Sequence, residues 1–150
     1  KRIAARHWPR SGVVHVTSVR KDRPLEWFLA GFSIWWGLST HMAPDALDGA
    51  YCPAALQPFT QPPWAAGGVM LGLAHMVGLL INGTMWWTPL LRLVVTAANS
   101  GFFAWVASVM IQHGFYGAGS VYAYTTTGFL WCAYAAGQDA ARMRLGTYGL

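Results

Sequence analysis

Charged side chains are scarce in this chain. Of its 150 residues, 10% are charged, only five are acidic, and 55% are hydrophobic. A soluble domain usually has about 25% charged residues, which keep its surface compatible with water. The shortage argues against an ordinary soluble enzyme, and the high hydrophobic content excludes a disordered chain.

Cysteines and catalytic motifs are also few. The two cysteines, Cys52 and Cys132, are expected at different depths in a membrane, so we do not expect a disulfide. The sequence has no GxSxG, HExxH, P-loop or dinucleotide-binding pattern. No acidic residue is predicted deep in an apolar segment, which leaves paired-carboxylate catalysis without support. The sequence therefore predicts a protein that is not an enzyme.

The basic residues are concentrated rather than spread over a surface. Seven of the ten Lys and Arg residues lie in the first 23 residues, and none lies in Leu25–Leu91 or Leu93–Ala141. A protein that binds nucleic acid usually spreads its basic residues over one face, so we expect no nucleic-acid partner. A basic arm beside apolar segments is typical of a chain that meets anionic lipid headgroups.

Four apolar segments fall between the charges, at residues 25–41, 64–83, 89–111 and 120–137. A helix rises 1.5 Å per residue, so their lengths approach the roughly 30 Å of a bilayer core. The sequence predicts an all-α protein, an integral membrane bundle of four transmembrane helices. Residues 1–24 would form a basic cytoplasmic arm, residues 25–141 the membrane domain and residues 142–150 a short cytoplasmic tail.

The distribution of Lys and Arg predicts the orientation of such a bundle. With four spans and both termini in the cytoplasm, all ten basic residues lie on one side of the membrane. This arrangement predicts a multi-pass protein of the bacterial inner membrane, with the lipid bilayer as its first partner. The residues expected to fix the topology are Arg20, Lys21, Arg23, Arg92, Arg142 and Arg144.

A series of glycines marks the second apolar segment. Gly68 and Gly72 are four residues apart, and Gly78 extends the series. Small residues at this spacing let helix backbones approach closely in a membrane. The pattern predicts a helix-packing surface, used either inside a tight bundle or for association with a second copy or another membrane protein.

Three histidines are candidate ligands for a cofactor. His41 and His113 are expected at the outer membrane face, and His75 midway along the second segment. A haem or a quinone between the helices would use them, and Asp45 near His41 raises the alternative of a divalent metal. This spacing matches no known metal motif, so no metal site is assigned. The competing interpretation is that His41 and His113 bond to water and backbone at the interface and that His75 is a neutral imidazole bonded to a neighbouring helix.

Several short motifs together resemble those of a known group of proteins. They are Glu26 early in the first segment, Trp64 opening the second, the turn Ile81-Asn82-Gly83, and Pro89 and Arg92 opening the third. This set resembles small four-span membrane proteins encoded by tailed bacteriophages and prophages. The chain departs from that pattern at Trp86 and Trp87, where basic residues are expected. The resemblance implies a phage-related source and no settled activity.

Two classes of function remain open from the sequence. The first is a small non-enzymatic membrane protein, phage-related as the resemblance implies, acting as an assembly, structural or holin-like component with no cofactor. The second is an accessory subunit of a larger membrane complex that binds haem, a metal or a quinone. A visible absorption spectrum distinguishes the two, because a protein without cofactor absorbs only through its nine Trp and other aromatic residues in the ultraviolet.

Overall fold

The computed structural model describes residues 23–42, 61–81 and 87–148, with side chains described as far as residue 142. In these ranges the chain forms four α-helices and no β-strand. They are α1 (Pro24–Met42), α2 (Gln61–Leu80), α3 (Thr88–Gln112) and α4 (Tyr116–Tyr148). The predicted all-α class is confirmed for this part of the chain.

The helices lie where the apolar segments are, but both bounds of α2 and of α4 differ from the predicted 64–83 and 120–137 by three residues or more. α2 ends at Leu80, before the predicted end at Gly83. α4 is 33 residues long and continues through residues 142–148, which were predicted to form a tail. The polar end of α4 stays helical because Ala, Met and Arg favour a helix and polarity alone does not end one.

Two of the four helices have the length and the apolar composition of a membrane span. Within the described residues, Pro62–Leu80 and Thr88–Gln112 pass this test. α1 carries Glu26, Ser33 and His41, and α4 carries a run of three threonines, which lower their hydropathy. The four-span arrangement is therefore not confirmed, and two candidate spans are supported.

Proline and glycine explain where the helices begin and turn. Pro24 and Pro89 occupy the first turns of α1 and α3, where a missing amide hydrogen costs no helical hydrogen bond. After α3, Gly114 has a φ of 83° and the chain reverses into α4. This left-handed conformation suits glycine, which has no Cβ to clash. α3 and α4 therefore form a tight helical hairpin.

The four helices pack as two hairpins. α1 packs against α2 and α3 against α4, and the hairpins meet through α2 with α3 and α1 with α4. The α1–α2 contact is close because glycines lie in it. A Cβ on Gly72 would lie 2.8 Å from the Ala30 carbonyl oxygen, and one on Gly68 would lie 2.8 Å from the Trp36 ring. Gly68 and Gly72 thus form a packing surface inside the chain.

Gly78 does not share this surface. A Cβ there would lie 3.4 Å from Cγ of Arg92 on α3, which is close to ordinary contact. The predicted series of three glycines therefore divides, with Gly68 and Gly72 facing α1 and Gly78 facing α3.

Aromatic side chains fill the described interior. Phe103 and Phe129 are fully buried and stack with ring centroids 5.6 Å apart. Trp36 meets Phe102 and Phe103 edge-on, and its indole Nε1 donates to the Tyr122 hydroxyl at 3.0 Å. Rings from α1, α3 and α4 therefore pack together in the centre of the bundle.

Candidate functional site, a buried ion-pair network

Arg92 lies in the second turn of α3, and its side chain is almost completely buried. It is 1% exposed, and Glu26, in the first turn of α1, is 4% exposed. Arg92 Nε donates to Glu26 Oε2 at 3.0 Å, and Arg92 Nη2 donates to Glu26 Oε1. Two parallel charge-assisted bonds between a guanidinium and a carboxylate are among the strong hydrogen bonds of proteins. They join α1 to α3.

A second carboxylate extends this pair to α4. Asp139 Oδ2 accepts from Arg92 Nη1 at 3.2 Å and from Arg23 Nη2 at 2.8 Å. Arg23 Nε also lies 3.8 Å from Glu26 Oε1. Two cations therefore alternate with two carboxylates, and the formal charges cancel. This balance makes the burial of Glu26 and Arg92 tolerable, whereas Arg23 and Asp139 stay partly exposed.

Arg23 lies just before α1 and is the most accessible cation of the network. Burial lowers its pKa, and the nearby charge of Arg92 lowers it further, whereas Glu26 and Asp139 raise it. An arginine remains protonated in proteins under such shifts. Arg23 therefore stays a cation and keeps the four-ion network balanced.

His75 brings α2 to the same place. Its side chain is 0% exposed, and its Nε2 lies 3.8 Å from Glu26 Oε2, which is too long for a hydrogen bond. Neither ring nitrogen has a hydrogen-bond partner among the described residues. The ring packs against Phe129 with centroids 5.9 Å apart. All four helices thus contribute a side chain around Glu26.

Polar contacts continue along the interior from this network. Ser33 Oγ donates to Asn99 Oδ1 at 2.6 Å, which links α1 to α3 again. Asn99 Nδ2 donates to the Val95 carbonyl at 3.0 Å and reaches the Leu71 carbonyl of α2 at 3.4 Å. The Thr96 hydroxyl donates to the Arg92 carbonyl at 2.7 Å. These polar groups satisfy one another inside the bundle.

The three candidate histidines do not gather at one place. The Glu26–Arg92 pair and the Ser33–Asn99 pair, seven residues further along each helix, show that α1 and α3 run parallel. Both helices therefore end on the same side, at the exposed His41 and His113. His41 is 15 residues beyond Glu26, which is about 22 Å along α1. His75 lies beside Glu26, at the other end of the bundle.

The described residues contain no other cluster of metal-ligating side chains. No group of three or more His, Cys, Asp or Glu side chains there could hold a metal ion. His113 Nδ1 lies 2.9 Å from its own helix's Val109 carbonyl, as the competing interpretation predicted for a histidine bonded to backbone. Asp45 lies outside the described residues.

The residues predicted to fix the topology occupy different environments. Arg23 and Arg92 lie in the network, and Arg142 is exposed on α4. Arg144 lies on α4, with its side chain outside the described part, and Arg20 and Lys21 precede the described residues. For Arg92 the topology role stays a prediction, and the structure adds that its guanidinium is held by the carboxylates of Glu26 and Asp139.

Sequence reasoning missed the pairing of Glu26 and Asp139 with Arg92. One signal was available, since α1 and α3 each begin with a charge inside an apolar segment, and the two charges have opposite signs.

Cys132 is a free, buried thiol packed with Leu29, Phe103 and Phe129, whereas Cys52 lies outside the described residues.

The chain matches no protein-family model, no curated protein and no solved structure. Over its described residues the chain is a small all-α bundle with the Glu26–Arg92 ion pair buried between α1 and α3. Its function must therefore be argued from the distribution of its side chains.

Proposed function

We propose that this chain is a small, non-enzymatic, multi-pass protein of the bacterial inner membrane that acts as a structural or assembly component there, in a phage-related setting. One observation carries the proposal: charged and polar side chains are buried beside the aromatic core, and large apolar side chains also cover the outside of the bundle. Phe28 is 68% exposed and Tyr124 is 80% exposed, whereas Arg92 and Asn99 are buried. This distribution suits a bundle surrounded by lipid.

The apolar surface extends over all four helices. Large exposed apolar or aromatic side chains include Trp35 on α1, Met70 on α2, Val94 on α3 and Trp131 on α4. Soluble monomers rarely expose large contiguous apolar surfaces. The exposed faces of α1 and α4 therefore support lipid contact, although these two helices have a low overall hydropathy.

The polar residues of α1 and α4 are compatible with a bilayer because their hydrogen bonds are made internally. Ser33 and Glu26 face the interior, as described above. The hydroxyls of Thr125, Thr126 and Thr127 donate to the carbonyls four residues before them, at 2.9, 2.8 and 3.0 Å. A hydroxyl bonded to its own helix does not prevent that helix from spanning a membrane. This supports four spans rather than two.

Topology is the sharpest test, and Cys52 is a native probe for it. With four spans, residues 43–60 face the periplasm and residues 1–22 the cytoplasm; with α2 and α3 as the only spans, both lie on the same side. We expect a membrane-impermeant maleimide to label Cys52 in intact spheroplasts. A matched variant with Ser11→Cys and Cys52→Ser should be labelled only after lysis. Labelling of both cysteines in intact spheroplasts contradicts the four-span proposal.

A structural role is supported by what the buried charges do. The ion pairs of the network join α1, α3 and α4, so the network fixes the positions of these helices.

The holin-like form of this proposal is a pore that several copies of the protein build in the membrane. Because aromatic rings fill the described interior, such a pore would form between copies and not through one. Dye release from vesicles should then rise more steeply than linearly with the protein-to-lipid ratio.

One observation favours the second candidate, an accessory subunit that binds haem, a metal or a quinone. His75 is buried, and both ring nitrogens lack a hydrogen-bond partner among the described residues. A visible spectrum with metal analysis of the detergent-purified protein tests it. A Soret band or a stoichiometric metal that disappears in His75→Phe, but not in His113→Phe, supports this candidate.

A further inference from the structure

His75 is a buried titratable side chain that the ion network leaves without a hydrogen bond. The side chain is 0% exposed, and neither ring nitrogen has a hydrogen-bond partner among the described residues. Its Nε2 faces Glu26 Oε2 at 3.8 Å, and Arg92 Nε already donates to that same oxygen at 3.0 Å. A protonated His75 would therefore compete with Arg92 for one carboxylate oxygen.

The charges around His75 are balanced only while its ring is neutral. α2 has no titratable residue besides His75. The charged or titratable groups of the surrounding elements are Glu26 of α1, Arg92 of α3, Asp139 and Cys132 of α4, and Arg23 just before α1. A proton on His75 would place three cations beside two carboxylates. An uncompensated charge in an apolar interior is costly, so the closed bundle favours the neutral ring.

Opening of the bundle at this point would remove that constraint. A histidine in water has a pKa of about 6.5 and becomes charged as the pH falls from 8 to 5.5. When only the open form binds the proton, the opening equilibrium constant rises about tenfold over this interval. Carboxyl groups in water have pKa values of about 4, so they stay ionised at pH 5.5 and add little to the rise.

The contact lies near one end of the bundle, where local opening is easiest. His75 is five residues before the end of α2, about 8 Å along the helix, and Glu26 is two residues after the start of α1, about 3 Å. Arg23 and Asp139, at the same end, are partly exposed. Opening here separates the ends of helices and leaves the aromatic centre of the bundle packed, which costs less than global unfolding.

We propose that His75 makes the Glu26–Arg92 pair a proton-sensitive switch between α1 and α3. While the ring is neutral, Glu26 stays with Arg92 and the pair is closed. When the pair opens in acid, a proton from water forms the missing N–H bond on the ring, and the imidazolium then pairs with Glu26 and favours the open form. The inference rests on the form of the proposed function in which His75 carries no cofactor.

Cys132 provides a native probe of the open form. Its buried thiol packs against Leu29 of α1 and against Phe129, the ring that contacts His75. In the full chain with Cys52→Ser, purified in detergent, dithiodipyridine reacts with this thiol by disulfide exchange. Each rate is divided by that of the same protein denatured in dodecyl sulphate at the same pH. The ratio reports the open fraction without the pH dependence of the thiol itself.

We expect the open fraction to rise about tenfold between pH 8 and pH 5.5. His75→Gln should abolish the rise, because glutamine does not titrate. His113→Gln is the matched control and should keep the rise, since His113 is exposed at the opposite end of the bundle. Each variant is compared with itself at two pH values, so a change in its overall stability does not imitate the effect.

Three results overturn the proposal. An open fraction that is equal at the two pH values, or a thiol that reacts at neither, shows that no proton-sensitive opening occurs. An unchanged rise in His75→Gln assigns the proton to another group. A Soret band or a stoichiometric metal that is lost in His75→Gln makes His75 a ligand, and this result also identifies the cofactor-free form of the proposed function as the part that fails.

Discussion

At the residue scale, we expect the Glu26–Arg92 pair to have the largest effect on the stability of the folded protein. Replacing either member leaves the other buried without its main partner, which costs about 3–5 kcal/mol. We expect Glu26→Gln and Arg92→Gln each to lower the thermal unfolding midpoint strongly in detergent. The double variant should lose much less than the sum, because the Arg23–Asp139 pair remains balanced. Arg142→Gln, at an exposed arginine, is the control and should change little. Additive losses would show that the two side chains do not act as a pair.

The Ser33–Asn99 contact allows a finer prediction at the same scale. Both side chains are buried and their hydrogen bond measures 2.6 Å. Coupling between such groups in membrane proteins averages about 0.6 kcal/mol, because unfolded segments in the membrane also find partners. A double-mutant cycle of Ser33→Ala and Asn99→Ala should give a coupling of this size. A coupling near zero would mean that Asn99 acts only through its backbone contacts at Val95 and Leu71.

At the scale of the element, the glycines of α2 determine how closely the first hairpin packs. Gly72→Leu places a side chain where even a Cβ would lie 2.8 Å from the Ala30 carbonyl oxygen. Overpacking of this kind costs about 1–3 kcal/mol, and more where backbone must move. Gly31→Leu is the matched control, because nothing lies within 4 Å of a Cβ at Gly31. Thermal unfolding in detergent should separate the two variants, and equal midpoints would contradict the close α1–α2 contact.

The turn between α3 and α4 gives the second prediction at this scale. Gly114 has a φ of 83°, and an L-residue in the left-handed region costs about 1–2 kcal/mol. Gly114→Ala should therefore lower the unfolding midpoint. Gly117→Ala, in the first turn of α4 with open space around its Cβ, should be neutral or stabilising, since alanine favours a helix by about 1 kcal/mol over glycine. If Gly117→Ala lowers the unfolding midpoint and Gly114→Ala does not, the turn between α3 and α4 does not lie at Gly114.

Across the whole molecule, the sequence predicted helix positions better than contacts between helices. Prolines and isolated charges bracket the apolar segments, so three of the four helices could be located closely. α4 was underestimated because its polar end resembles a tail. Gly68 and Gly72 could be recognised as packing residues, but their partner on α1 could not. The network forms only if α1 and α3 run parallel with Glu26 level with Arg92, and if α4 continues far enough to bring Asp139 beside them. No local pattern contains this information.

Orientation and packing should be separable at the scale of the whole molecule. In the proposed four-span arrangement, basic residues outside the membrane set the orientation, whereas Arg92 is enclosed by carboxylates. Replacing Arg20 and Lys21 with Glu should therefore produce a mixed orientation, measured by maleimide labelling of Cys52 in spheroplasts. Glu26→Gln with Arg92→Gln should leave that labelling unchanged while it lowers stability. If the network variant instead scrambles orientation, Arg92 acts during insertion as a topology signal before it is buried.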